Sequence, residues 1–295
     1  MPMNPRLLRP RQTIHPEAAD WRSRVIANGG SVSGTTLNAV DRFVKAIHAA
    51  GIRDRFYRLN LFCGNSDGNL NAVRTPLFRG PSLTGTQYGG TTDTNLNFVQ
   101  GDYAENAGLS KGELQAKHLD TGLATSALPS GVIETGHLSA WHGPVTVDFP
   151  SDPAIIGAIN STVDRATLVV SFRTSGTAGE TGRWGKGTTV TSTDAPLGLS
   201  RPSAFVLTQR TSATNLEIWR NGAIVASIAT STTGIAGITH SLLVFRQNNT
   251  GVVGGELNMG GPLRHYSIGD DMTSAQVLAF RAALSAFNTA MGRTT

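Results

Sequence analysis

The chain has 295 residues, 39% of them hydrophobic and 15% charged, with 34 glycines, a composition suited to many short strands joined by turns and not to a helical bundle. Its net charge of +5 is modest for this length and gathers at the start, in Arg6, Arg9, Arg11, Arg22 and Arg24, with no interior alternation of basic and aromatic residues, so nucleic acid is not the expected partner. A single cysteine, Cys63, excludes an intrachain disulfide and a multi-thiolate zinc site, and without an apolar leader or a bilayer-length apolar run the chain is expected to be made and left in a cytosol unless something non-secretory carries it out.

In chain order, residues 1–15 carry Pro2, Pro5 and Pro10 among arginines and read as an extended basic arm. Residues 16–52 read as a helical segment. One helix runs from Pro16 through Trp21 and Val25 to the Asn28-Gly29-Gly30 stop. A second starts near Ser33, with Leu37, Val40, Val44 and Ile47 on one face and Gly51 at its end. Residues 53–295 read as a β-sandwich that includes a C-terminal helix over 274–291. Phe56 to Cys63 is a strand candidate, and 79–112 a long loop with one strand near Leu96 to Val99. Further strands are expected at 131–134, 137–141, 167–173, 188–191, 203–209, 216–220, 223–228 and 241–245. Asn221-Gly222 is the sharpest signal among them, a type I′ hairpin turn. Thr273 and Gln276 form a capping box for the last helix, with Met272 facing Val277 as a staple.

Leu216 to Gly222, then Ser241 to Phe245, then His265 to Asp270 followed by the helix, resemble the closing half of laminin-G-like domains. The resemblance implies a mainly β fold, a concanavalin A-like jelly-roll sandwich with an N-terminal helical segment and a C-terminal helix. The long terminal helix, Arg55 to Gly64 and the Leu119 to Leu123 step resemble a version found in tailed-bacteriophage and prophage virion proteins. That likeness covers most of residues 16–292 and implies a place in a particle, with head decoration, head fibre and tail fibre all open.

Motifs with chemistry are sparse. Asp120-Thr121-Gly122 matches the aspartic-protease triplet, but it occurs once and reads as a turn. No Glu-x-Asp pair of the concanavalin-like glycosidase type exists. Gly182 to Thr188 misses phosphate-loop spacing and reads as a hairpin loop with Trp184 at its tip. Of the seven histidines only His137 and His142 approach metal-ligand spacing, and each histidine reads as satisfied or solvent-facing. Trp141 and Trp219 read as core, which leaves Trp184 as the candidate platform for stacking on a sugar. Asp67, Asp93 and Asp102 lie in loops suited to calcium without completing a ligand pattern, so no cofactor is expected. The sequence therefore supports, in order, a structural virion protein contacting other virion proteins and copies of itself, a glycan-binding adhesion module, and an enzyme of the aspartic-protease kind.

Overall fold

The computed structural model describes residues 13–112, 116–146, 154–160, 164–170, 179–186, 189–192, 200–229, 238–254 and 261–293. Helices α1 (Pro16–Ala27) and α2 (Gly34–Ala49) lead into β1 (Phe56–Asn60), the single turn α3 (Leu70–Val73) and the short strands β2 (Thr94–Leu96), β3 (Tyr103–Ala104) and β4 (Gly108–Ser110). Next come β5 (His118–Ala124), the turn α4 (Ser130–Glu134), β6 (Gly136–His142), β7 (Val145–Thr146), β8 (Ala154–Asn160), β9 (Asp164–Val170), β10 (Glu180–Lys186), β11 (Val190–Thr191) and β12 (Ser200–Arg201). The chain closes with β13 (Ala204–Ser212), β14 (Asn215–Arg220), β15 (Ala223–Ile228), β16 (Ser241–Val244), β17 (Gln247–Asn249), β18 (Val252–Gly254), β19 (Pro262–Gly269) and α5 (Ser274–Ala290).

Two sheets face each other in a concanavalin A-like jelly-roll sandwich. One runs β15-β14-β13-β6-β19, with β1 and the β4–β3 pair on the far side of β19. The other runs β11-β10-β9-β8-β16-β5-β2, with the β17–β18 hairpin attached to β8. Among the described strands all pairs are antiparallel except β17 on β8.

Strand alternation explains the layering. Along β6, Leu138 and Ala140 point into the core between the sheets, while Trp141 points the other way into a second core with the helices. On β13, Val206 serves the first core and Phe205 and Leu207 the second. The first sheet is therefore buried on both faces, and α1, α2 and α5 form a third layer against it. Phe280 of α5 meets Phe56 at 4.7 Å and Phe205 at 5.8 Å, and Phe287 meets Phe43 of α2 at 6.0 Å. The helical segment and the sandwich thus share one apolar core. No helix among the described residues is long and apolar enough to cross a membrane.

Local signals held where the chemistry is local. Asn221 (φ 50°) and Gly222 (φ 85°) form the β14–β15 turn, and the Asn221 Oδ1 accepts from the Phe205 amide at 3.0 Å. Thr273 caps α5 through the full capping box, with Met272 buried beside it. Other expectations change. Residues 131–134 lie in the α4 turn and not in a strand, because Pro129 and Gly131 present carbonyls to the Ile133 and Thr135 amides at 3.0 and 2.8 Å. Cys63 lies beyond the end of β1, where Phe62 adopts φ 44°, yet is buried as expected. The strand expected over Leu96 to Val99 lies instead at Thr94–Leu96, because Asn97 turns to φ 69°. Most of the basic arm, together with 171–173 and 188, falls outside the described residues.

Strand β10 is the largest departure. Its glycines suggest a loop, but they mark close approach of the two sheets: a Cβ on Gly182 would lie 2.1 Å from the Thr208 hydroxyl of β13.

The turn and cap carry a direct expectation. Gly222→Val would strain a positive-φ position and press on Leu278 and Arg281 of α5, costing about 1–3 kcal/mol, whereas Thr273→Ala costs about 1 kcal/mol. Thermal melts of both variants check this, and two unchanged midpoints would mean that neither element supports the fold.

Candidate functional site

The expected sugar platform is absent. Trp184 is 0% exposed, in mid-strand on β10 opposite Ala166, and its indole packs so closely beneath Gly136 that a Cβ there would stand 2.4 Å from the ring. The inward alternation of β10 buries it between the sheets, so it cannot stack on a ligand. Trp141, Trp219 and Tyr266 are buried as well.

The calcium candidates do not converge. Asp93 is buried against Arg58 at 2.6 Å, Asp102 accepts from Lys117 at 2.6 Å, and Asp67 accepts from the Glu105 amide at 2.7 Å. His137 and His142 sit an odd number of residues apart on β6 and so face opposite sides of the sheet. His137 bonds the Ser267 hydroxyl and the Asp270 carbonyl, while His142 bonds the Gly143 carbonyl. Asp120 lies in strand β5, not in a free turn. Its carboxylate accepts from the Gly122 amide at 2.8 Å within a bulge where Gly122 takes φ 63°. A short polar residue bending its own chain was legible there, and the strand around it was not.

The basic surplus is largely internal. Arg53, Arg58, Arg201, Arg210, Arg246, Arg264 and Arg293 are all at most 8% exposed. Arg293, just past α5, donates to the carbonyls of Glu105, Leu61, Phe62 and Arg264, closing the end of the chain onto the sandwich. Among the described residues, these seven guanidinium groups are therefore structural and not part of an exposed charged face.

A polar groove of about 500 Å³ opens where the α1–α2 linker, the loop before α3 and the β2 region meet. The linker contributes Gly29 and Ser31, the loop Asn65 to Asn71, and the far wall Asn95 and Gln100. Its floor is fixed by short-range chemistry. Asn69 caps α3 by accepting from the Ala72 amide, and its Nδ2 donates to the Ser31 carbonyl and to Asn65 Oδ1, both at 2.9 Å. Gly68 takes φ 76° and donates to the Tyr103 carbonyl at 3.0 Å, while the Glu105 carboxylate gathers Thr36, the Gly64 amide and the Tyr103 hydroxyl behind the loop. Gly64 must be glycine, since a Cβ would come within 2.9 Å of Ala72.

Two further polar side chains line the groove. Arg74 donates through Nη2 to Asn71 at 2.8 Å, and its Nε is buried out of solvent. Gln100 is exposed on the opposite wall. A rigid concavity of amides, hydroxyls, one carboxylate and one guanidinium can hydrogen-bond a ligand dense in hydroxyl groups. Apart from Asp67 none of these groups stands out in the sequence as a site, because the groove forms only when segments more than thirty positions apart meet, as Asn69 does with Ser31. A smaller pocket of about 210 Å³ lies at His142, Glu180, Arg201 and Arg220, where Glu180 accepts from Ser192 at 2.8 Å and Arg220 at 3.2 Å. A second grouping, His15, Glu17 and His48, comes together at the α1–α2 interface.

Buried histidines give the fold an acid response. Burial pushes His137 down to about 4 and His265 to about 3, from an ordinary value of 6.5. The unfolded chain takes up these protons near pH 6.5 and the folded chain only near 4 or below. Their contribution is complete above pH 6.5 and is lost as pH falls towards 4. Denaturant unfolding at pH 7 and pH 5 should show stability falling by about 1.4 kcal/mol per pH unit for each such histidine below pH 6. Equal stability at the two values would contradict this.

No protein-family model matches the chain, and no curated protein sequence does. Solved structures show similar shapes. A carbohydrate-binding CBM40 domain of the Ruminococcus gnavus IT-sialidase, bound to α2,6-sialyllactose, matches with TM-score 0.41 and 15% identity over 59% of this chain and 96% of that one. The receptor-binding domain of a botulinum neurotoxin C/D mosaic serotype matches with TM-score 0.46 and 10% identity over 78% of this chain and 52% of that one. A leech intramolecular trans-sialidase complexed with 2,7-anhydro-Neu5Ac gives 0.38 and 12%, over 64% and 27%. At such scores the likeness carries no inference about ligand.

Proposed function

We propose that the protein is a non-catalytic binding module that takes a polyhydroxylated ligand, a glycan, in the polar groove between the α1–α2 linker and the loop before α3. The observation that carries this reading is the hydrogen-bonded, amide-rich concavity itself, with the Arg74 guanidinium in its wall. Amide groups offer donor and acceptor side by side, which suits vicinal hydroxyls, and the preset loop spares much of the ordering cost of binding. With no aromatic residue on its walls, the groove would bind through hydrogen bonds and not through stacking. The particle role suggested by the short sequence motifs draws no support from the fold or from the similar shapes, and it stands second.

A glycan array probed with the wild-type chain, followed by titration calorimetry of any hit against Gln100→Ala and Arg74→Ala, tests the reading. Each variant is expected to weaken binding about 5- to 10-fold, the worth of one hydrogen bond or somewhat more, with melting temperature unchanged for the exposed Gln100. Failure of the wild type to retain any glycan, or full affinity in both variants, would overturn it.

A further inference from the structure

We propose that His15, Glu17 and His48 form a binding site for one divalent transition-metal ion of the zinc class. One ring nitrogen from each histidine and a carboxylate oxygen of Glu17 lie within 4.8 Å of one another, although His15 and His48 come from different helical elements. The rings are tilted at 38° to one another with centroids 4.4 Å apart, and His48 Nε2 already touches Glu17 Oε2 at 2.7 Å.

The arrangement has the supporting contacts that metal ligands need. Glu17 is 4% exposed, and its second oxygen, Oε1, accepts from Arg53 Nε at 2.7 Å while Arg53 Nη1 donates to the Gly80 carbonyl at 2.7 Å. Arg53 thus holds the carboxylate by one oxygen and leaves the other facing the histidines, the outer-shell role that orients a ligating carboxylate. The His15 backbone is pinned by the Asp41 carboxylate at 2.6 Å, and Asp41 in turn accepts from Lys45 at 2.7 Å. The two acids, Glu17 and Asp41, balance Arg53 and Lys45, so the two cations do not leave the cluster electropositive.

Two imidazoles and one carboxylate suit zinc and its neighbours better than magnesium or calcium, which favour all-oxygen sites. Zinc–ligand bonds of about 2.0–2.2 Å in tetrahedral geometry set neighbouring ligand atoms about 3.4 Å apart, so His48 Nε2 must draw back from its 2.7 Å contact with Glu17 Oε2 to admit the ion. The movement falls on His48, whose side chain is 42% exposed and free to swing, and on the long 3.3 Å bond from the Glu17 amide to His15 Nδ1, which the ion would replace. Solvent would fill the fourth position. The site is independent of the groove and of any ligand held there.

Titration calorimetry of the full chain, without a histidine tag, against Zn²⁺ and Mg²⁺ tests this. Stoichiometric zinc binding, reversed by a chelator, with no magnesium response, is expected for the wild type. His48→Gln and His15→Gln should each weaken zinc by more than about tenfold. His48→Gln should change the metal-free melting temperature little, since the side chain is 42% exposed and the glutamine amide can keep a hydrogen bond to Glu17. No zinc binding by the wild type, or binding undiminished in both variants, would overturn the assignment.

Discussion

The buried pair of Arg58 and Asp93 is the contact on which the arrangement of this fold turns. Both side chains are fully out of solvent, 2.6 Å apart, and every strong hydrogen-bonding group around them is used. Asp93 accepts from Tyr266 of β19 and Asn60 of β1, and Arg58 donates onward to the carbonyls of Tyr88 and Gly90. Burying two charges costs several kcal/mol each, and only such complete pairing offsets it. The result ties a loop with few apolar residues to the two strands that close the first sheet. Gly89 is part of the same device, since a Cβ there would stand 2.5 Å from the Arg58 guanidinium.

From that anchor the rest follows by layers. Just ahead of the 79–93 loop, Arg24 of α1 donates to the carbonyls of Pro76 and Leu77 and Trp21 to that of Thr75, so the first helix is stapled to the segment leading into the loop as well as to the apolar core. The linker leaving α1 is then carried past the loop before α3, and the polar groove is the seam between them. The metal cluster lies at the other end of α1, where its first turn meets α2. Both candidate sites arise where the helical layer meets something else, and neither lies on the sandwich faces that a fold-level reading would inspect first.

What the sequence revealed follows the range of each interaction. The Asn221-Gly222 turn, the Thr273 capping box and the Gly51 helix stop are decided within a few residues, and they stand where the sequence puts them. Strands β8 and β10 were hidden for a different reason: glycines at 157 and 182 look like loop chemistry until the opposing Thr167 and Thr208 side chains show why no larger residue fits. Trp184 followed β10 from the surface to the core for the same reason. The Arg58–Asp93 pair and the joining of His48 to His15 and Glu17 link residues 31 to 35 positions apart through tertiary packing, and no local pattern announces either.

The most direct measurement of this account is the unfolding free energy of Asp93→Ala, with limited proteolysis of the 79–92 loop alongside. If the pair anchors the fold, the variant loses about 3–5 kcal/mol, the usual cost of stranding a buried charge, and the loop is cut while the sandwich strands stay protected. A loss below about 1 kcal/mol with wild-type protease resistance would contradict it, and the loop, α1 and the groove between them would then need some other support.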